Sequence, residues 1–196
     1  VALPVCLYLH GFLSSPHSLK AQQVHDWYEQ HHCPHRLSIP TLPFAPEQAM
    51  AVAEAELQRL LEEHPNTPVL IIGSSLGGYY ATWLAEHYPC SAALINPAVR
   101  PFDLFADYLG PNTHFHTGEV HHLETEHIDQ LRRFYCPQLQ YPQRCLLLLQ
   151  TGDETLDYRL AAHYYRNSPA WLEGGGDHSF VNFVQRLPML MQFSQR

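Results

Sequence analysis

Val69-Leu-Ile-Ile-Gly73-Ser-Ser75-Leu-Gly77-Gly-Tyr-Tyr80 runs from four branched apolar residues, through a turn rich in glycine and serine, into a helical pattern. The run Val69–Ile72 reads as a strand covered on both faces, whereas Leu76, Tyr80 and Trp83 or Leu84 recur at helical spacing. Gly73-Ser-Ser75-Leu-Gly77 fits Gly-x-Ser-x-Gly, a pattern that carries weight only in such a strand-to-helix setting. A turn this sharp holds its central residue in a strained conformation, at a cost of about 1–3 kcal/mol, and the flanking glycines keep side chains out of the crowded space. The Ser75 hydroxyl is thereby pushed outward, and the backbone amide of Leu76, at the helix N-terminus, is free to face a developing oxyanion. The bland alternative is a Gly-Ser connection with no chemistry.

A serine hydroxyl is a weak nucleophile near neutrality and needs a histidine to take its proton and a carboxylate to orient the imidazole. In this type of strand-turn-helix architecture the chain order is Ser, then Asp or Glu, then His. The apolar run Cys145-Leu-Leu-Leu-Leu149 ends in Gln150-Thr-Gly-Asp153-Glu-Thr-Leu-Asp157, so an acid lies just beyond a buried strand. Asp153 is the first choice for the triad acid. Asp157 stands where a helix should begin and suits an N-cap, and Glu154 is a third option. Further along, Gly174-Gly-Gly-Asp177-His178 brings an imidazole to a glycine-rich loop at a strand end, and His178 is the expected base among fifteen histidines. Asp177 is read as loop structure, since adjacent residues seldom present side chains to each other.

Near the start, Val5-Cys-Leu-Tyr-Leu9 is a short apolar strand followed by His10-Gly-Phe12. Gly11 allows the chain to turn so that the amide of Phe12 joins that of Leu76 in an oxyanion hole. His10, out of order for a triad, is expected to be structural.

These residues, together with Ser14-Ser-Pro16, Asn96-Pro-Ala-Val-Arg-Pro101, Asp107-Tyr-Leu-Gly110, Thr151-Gly-Asp-Glu154 and Leu156-Asp-Tyr-Arg159, resemble the YqiA-type bacterial esterases of the α/β-hydrolase superfamily over nearly the whole chain. The resemblance implies a small serine esterase acting on short acyl esters and on acyl-CoA thioesters, with Ser75, Asp153 and His178 in the matching triad positions. It does not account for the histidines crowded between residues 114 and 127.

At 196 residues and 45% hydrophobic content, the chain suits one domain with a single sizeable core. A net charge of −8 with dispersed basic residues disfavours nucleic acid and anionic membrane surfaces as partners. Apolar runs of four to six residues fall far short of the ~20 that cross a bilayer, and no charged-then-apolar leader is read at the start, so a soluble protein is expected. Five cysteines without C-x-x-C spacing suggest a reducing, cytoplasmic setting. His114, His116, His121, His122, Glu124, Glu126 and His127 lie close in sequence but match no familiar zinc spacing, so neither a metal nor another cofactor is expected.

Strand and helix patterns alternate, which predicts an α/β fold with a mostly parallel sheet and helices on both faces. Strands are expected near 5–9, 36–39, 69–73, 92–96, 145–150 and 169–173, a helix over Pro46–Leu61, and a last amphipathic run from Phe180 to Phe193 bent or interrupted at Pro188. The stretch Pro97–Gln143 is too long for a simple crossover. A partly helical lid over about 100–136 is expected there, with Phe102, Leu104, Phe105, Tyr108 and Leu109 as acyl-pocket candidates and Arg100 as a candidate for an anionic part of the substrate. The predicted activity is hydrolysis of small to medium acyl esters or thioesters through an acyl-enzyme on Ser75. The same residues would also serve a non-hydrolytic acyltransferase, and the fold alone would also suit a catalytically silent binding protein.

Overall fold

The computed structural model describes residues 3–194. Strand and helix alternate as β1 (Val5–Leu9), α1 (Leu19–Gln30), β2 (Leu37–Ser38), α2 (Pro46–Glu63), β3 (Val69–Ser74), α3 (Leu76–His87) and β4 (Ser91–Ile95). An insertion follows, with α4 (Pro101–Leu104), β5 (Gly110–Thr113), β6 (Val120–Leu123) and α5 (Thr125–Arg133). The chain then completes β7 (Cys145–Gln150), α6 (Tyr158–Tyr164), β8 (Ala170–Glu173) and α7 (Leu187–Phe193). Six strands form one sheet in the order β2-β1-β3-β4-β7-β8, with every neighbouring pair parallel. Parallel pairing puts the carboxyl ends of the strands on one edge, where open α/β sheets place their ligands.

Side chains alternate across the pleat, so each strand feeds two cores. Val5, Leu7, Leu9, Ile71, Leu94, Leu147 and Leu149 pack with α2 and α3 on one face. Cys6, Tyr8, Leu70, Ile72, Ala93, Ile95 and Leu148 meet Val24 and Tyr28 of α1 and Leu187 and Leu190 of α7 on the other. Burial on both sides explains why β1, β3 and β7 are continuous apolar runs. The thiols of Cys6 and Cys145 belong to these cores, and burial pushes both up to about 12, so they behave as small apolar groups.

All six expected strands are present, although the second is only two residues long. The helix expected from Pro46 ends at Glu63 rather than Leu61. Two readings need correction. Pro188 does not bend a long terminal helix: Phe183–Arg186 is a 3-10 turn, and Pro188 lies in the first turn of α7, where its missing N–H costs nothing. The insertion also contains an antiparallel hairpin, β5–β6, that helical patterning did not anticipate. Its strands are mostly polar and exposed, so they carry no apolar alternation to read. Helix α1, left unassigned from sequence, buries only Ala21, Val24 and Tyr28 among polar neighbours. No helix among the described residues is long and apolar enough to cross a membrane.

The histidine-rich stretch ties the hairpin to the rest of the molecule. The Phe115 amide donates to the Leu13 carbonyl at 2.9 Å, and His114 Nε2 lies 2.8 Å from the Ser14 carbonyl. Because His114 Nδ1 accepts the amides of His116 and Thr117, the ring proton sits on Nε2 and donates to Ser14. His121 stacks on Phe44 at 4.7 Å, and His127 meets the same ring edge-on.

Candidate active site

Ser75 occupies the tight turn between β3 and α3 with φ 55° and ψ −118°, a conformation that L-residues rarely adopt. Hydrogen bonds hold it there: its amide donates to Ile95 at 3.0 Å, and its carbonyl accepts from Gly78 at 3.0 Å and Ala98 at 3.1 Å. The glycines are required by close approach. A Cβ on Gly73 would strike the carbonyl of Gly77, and one on Gly77 would strike the carbonyl of Leu9.

His178 reaches Ser75 from the loop after β8. Its Nε2 lies 3.1 Å from Ser75 Oγ, and its Nδ1 lies 3.0 and 2.9 Å from the two carboxylate oxygens of Asp153. An ionised carboxylate only accepts, so Nδ1 carries the proton and Nε2 presents a lone pair to the hydroxyl. The Asp153 side chain is 2% exposed. Burial, the largest influence on it, raises its pKa, but the His178 ring and the amides of Leu156 and Thr155 outweigh burial and hold the carboxyl below its ordinary range. The site thus keeps a carboxylate charged where an imidazolium would form.

The competing acids are engaged elsewhere. Glu154 accepts the backbone amide of His178 at 3.0 Å, away from its ring. Asp157 caps α6 through the Arg159 amide at 3.0 Å and pairs with the Arg159 guanidinium. Asp177 accepts the Ser179 hydroxyl within the loop. His10 is buried and neutral: Nδ1–H donates to Gly11 at 2.9 Å, Nε2 accepts the Leu42 amide at 3.0 Å, and burial lowers its pKa. Gly11 packs directly against Ser75, since a Cβ there would lie 3.4 Å from the serine Cβ. The amides of Phe12 and Leu76 donate to no backbone acceptor among the described residues.

A cavity of about 710 Å³ opens at Ser75 and takes Phe12, Leu104, Phe105, Tyr108 and Leu156 into its wall. Phe105 packs on Phe12 with centroids 4.6 Å apart. Three pocket candidates lie elsewhere. Phe102 turns into the core against Tyr135, and Leu109 is half exposed outside the cavity. Arg100 pairs with Asp103 at 2.6 Å, lies over the Phe102 ring and borders a separate cleft. The reason is geometric: α4 and the 3-10 turn after it direct Leu104, Phe105 and Tyr108 toward Ser75, so their neighbours point away.

Sequence reasoning missed the residues that hold the histidine loop. Asn96, 1% exposed with φ 41°, donates from Nδ2 to the carbonyls of Asp177 and His178 at 3.0 and 3.1 Å and accepts the Gln150 amide at 3.0 Å. Gln150, also buried, accepts the amides of Asp177 and Val181 and donates to Val181 and Glu173. Glu173 is in turn anchored by Trp171 and Arg186. A polar residue at the end of an apolar strand was the only signal available for either amide.

A parallel sheet of this order, with a serine at the turn after its third strand and an acid and a histidine after its last two, defines an α/β-hydrolase fold. Solved structures of that fold superpose on nearly all of the chain. Est1E from Butyrivibrio proteoclasticus matches at 12% identity and TM-score 0.67 over 98% of this chain and 87% of its own. Mouse alpha/beta hydrolase domain-containing protein 10 matches at 13% and 0.67 over 95% and 89%, and the Pyrococcus furiosus esterase PF2001 at 12% and 0.63 over 95% and 81%. The chain belongs to the family described as uncharacterised protein family UPF0227, whose model matches residues 5–195, which is the YqiA-like family that its motifs resemble.

Proposed function

We propose that this protein is a serine hydrolase that cleaves carboxylic esters of small to medium acyl chains, and the corresponding acyl thioesters, by two-step acyl transfer. The observation that carries the reading is the unbroken hydrogen-bonded chain from Ser75 Oγ through His178 to a buried, charged Asp153. Ser75 Oγ attacks the carbonyl carbon while His178 Nε2 accepts its proton, and Asp153 stabilises the imidazolium. The amides of Leu76 and Phe12 hold the oxyanion. Collapse expels the alcohol or thiol, protonated by His178, and the same nitrogen then activates a water that releases the acid and restores the serine. Phe12, Phe105, Leu104 and Tyr108 supply the apolar wall for the acyl chain, and the insertion over about 100–136 acts as a lid, latched through its hairpin to Leu13 and Ser14 beside the oxyanion hole.

The test is hydrolysis of p-nitrophenyl esters of increasing acyl length, alongside acyl-CoA, by the wild type and Ser75→Ala. The expected result is activity on short to medium esters that vanishes in the variant. Equal activity in both proteins would overturn the role of Ser75, and acyl transfer to added alcohol in preference to water would make the protein an acyltransferase.

A further inference from the structure

The cavity at Ser75 is not apolar throughout. Toward α1 it is lined by Tyr8, Ser18, Lys20, Ser74 and Ser179. Lys20 lies in the first turn of α1, and its Nζ donates to the Ser179 carbonyl at 2.7 Å, one residue beyond His178. Among the described residues no carboxylate lies within ion-pair distance of this ammonium. An ammonium has three donors, so a single carbonyl leaves two of them without a protein partner among the described residues. Burial pulls its pKa down to about 8, against the weaker pull of Asp177 and Asp153, so it stays cationic near neutrality. Close by, Ser18 Oγ is buried without a hydrogen-bond partner, an arrangement that folded proteins usually avoid. The Tyr8 hydroxyl stands beside Ser18 and Ser74. The acid in the cavity wall, Glu154, is occupied by the His178 amide.

A cation short of partners and a hydroxyl with none, in the wall of a reaction cavity, together form a receptor for an anion. The side of the cavity is informative. Lys20 is fastened to the residue after His178, the group that must protonate the departing oxygen, whereas the Phe12 and Phe105 rings line the apolar part.

We propose that Lys20 and Ser18 form an anion-binding subsite, and that the preferred substrate is an ester whose leaving alcohol bears a carboxylate a few bonds from the scissile oxygen. This inference rests on the ester-hydrolase reading. The ammonium completes its coordination on the carboxylate, and the same contact holds the leaving oxygen near His178 Nε2. The chemistry at Ser75 is unchanged: the acyl C–O bond breaks, and the alcohol leaves with the proton from His178.

The experiment compares 4-(butanoyloxy)benzoate with its neutral isostere 4-carbamoylphenyl butanoate, each rate divided by that ester's hydroxide-catalysed rate. Wild-type kcat/KM should favour the carboxylate at least tenfold, as charge-assisted hydrogen bonds generally allow, and Lys20→Met should bring the ratio close to one. A ratio near one in the wild type, or one that Lys20→Met leaves unchanged, overturns the proposal. A preference found instead for phenyl hydrogen glutarate over phenyl 4-carbamoylbutanoate would move the anion to the acyl side and overturn the leaving-group assignment. Thermal melting and fluorophosphonate labelling of Ser75 establish that Lys20→Met is folded. If no ester is turned over, the hydrolase reading fails by itself. The subsite is then judged by calorimetric titration of Ser75→Ala with 4-hydroxybenzoate and 4-hydroxybenzamide: binding of the acid alone, lost on adding Lys20→Met, upholds it, and equal or absent binding overturns it.

Discussion

The turn that holds Ser75 and the loop that holds His178 achieve the same precision by opposite means. Ser75 is positioned by exclusion: Gly73 and Gly77 let β3, α3 and β1 approach so closely that a single methyl group would collide with a backbone carbonyl. His178 is positioned by attachment. Its loop rests on two buried amides, Asn96 and Gln150, which bond to backbone atoms of Asp177, His178 and Val181. A close-packed turn tolerates no added volume, whereas a polar cradle tolerates no lost partner.

The two therefore fail differently when they are altered.

The largest effect is expected at the nucleophile itself. Ser75→Ala should lower kcat by about five to six powers of ten with the fold intact, as measured by ester hydrolysis and circular dichroism. Residual activity near the wild-type level would remove the elbow from the chemistry altogether. Next comes the acid: Asp153→Asn should cost about three to four powers of ten in kcat, because an amide no longer fixes the imidazole tautomer or stabilises its charge. Asp157→Asn, at the exposed cap of α6, should stay within about twofold. Equal losses in the two variants would mean that the acid is not Asp153.

The two modes of positioning separate at Gly77 and Asn96. Gly77→Ala forces β1 and α3 apart and should destabilise the fold by about 1–3 kcal/mol in urea unfolding, with fluorophosphonate labelling of Ser75 slowed in parallel. Asn96→Ala strands two carbonyls and the Gln150 amide and should cost about 2–3 kcal/mol, with kcat lowered about tenfold and KM little changed. Asn96→Asp keeps the acceptor but turns a carboxylate toward the carbonyls of Asp177 and His178, so it should be at least as damaging. A harmless Asn96→Asp would show that attachment is not what holds the loop.

The smallest effect is the pH dependence of stability from His10. Its folded pKa lies below the ordinary value of 6.5, so as pH falls through 6.5 the unfolded chain binds the proton first. Stability therefore declines on acidification, by at most about 1.4 kcal/mol per pH unit from this residue. Asp153 has the opposite sense of charge but the same direction: its depressed pKa gives stability that is present above the ordinary carboxylate range and lost as pH falls through the lower folded value. Urea midpoints at pH 7 and 5.5 for the wild type and His10→Gln should show the smaller difference in the variant.

The fold and the candidate site were legible in sequence wherever a local rule governs. Continuous apolar runs mark strands buried on both faces, and Gly-x-Ser-x-Gly marks a turn in which glycine is sterically required. The helix N-cap signature, not chain order, ranked Asp153 above Asp157, since both lie between Ser75 and His178. The hairpin β5–β6 was not legible, since its strands are polar and its turn, at His114 and Phe115, is held by Leu13 and Ser14 about a hundred residues away in the chain. Arg100, Phe102 and Leu109 were misplaced for a related reason: composition shows that aromatic residues cluster after β4, but not which way each one points.

What the sequence determined by itself is the six strands of the main sheet, the helix from Pro46 and the candidate reacting groups, because strand burial, helix periodicity and the crowding of the turn act between near neighbours. The tertiary structure alone decided that Asn96 and Gln150 carry the histidine loop, that Glu154 meets an amide rather than the imidazole, and that Lys20 turns into the cavity beside Ser179. Hydrogen bonds of that kind join strand ends from distant parts of the chain, and their partners are set by where the sheet brings those ends together.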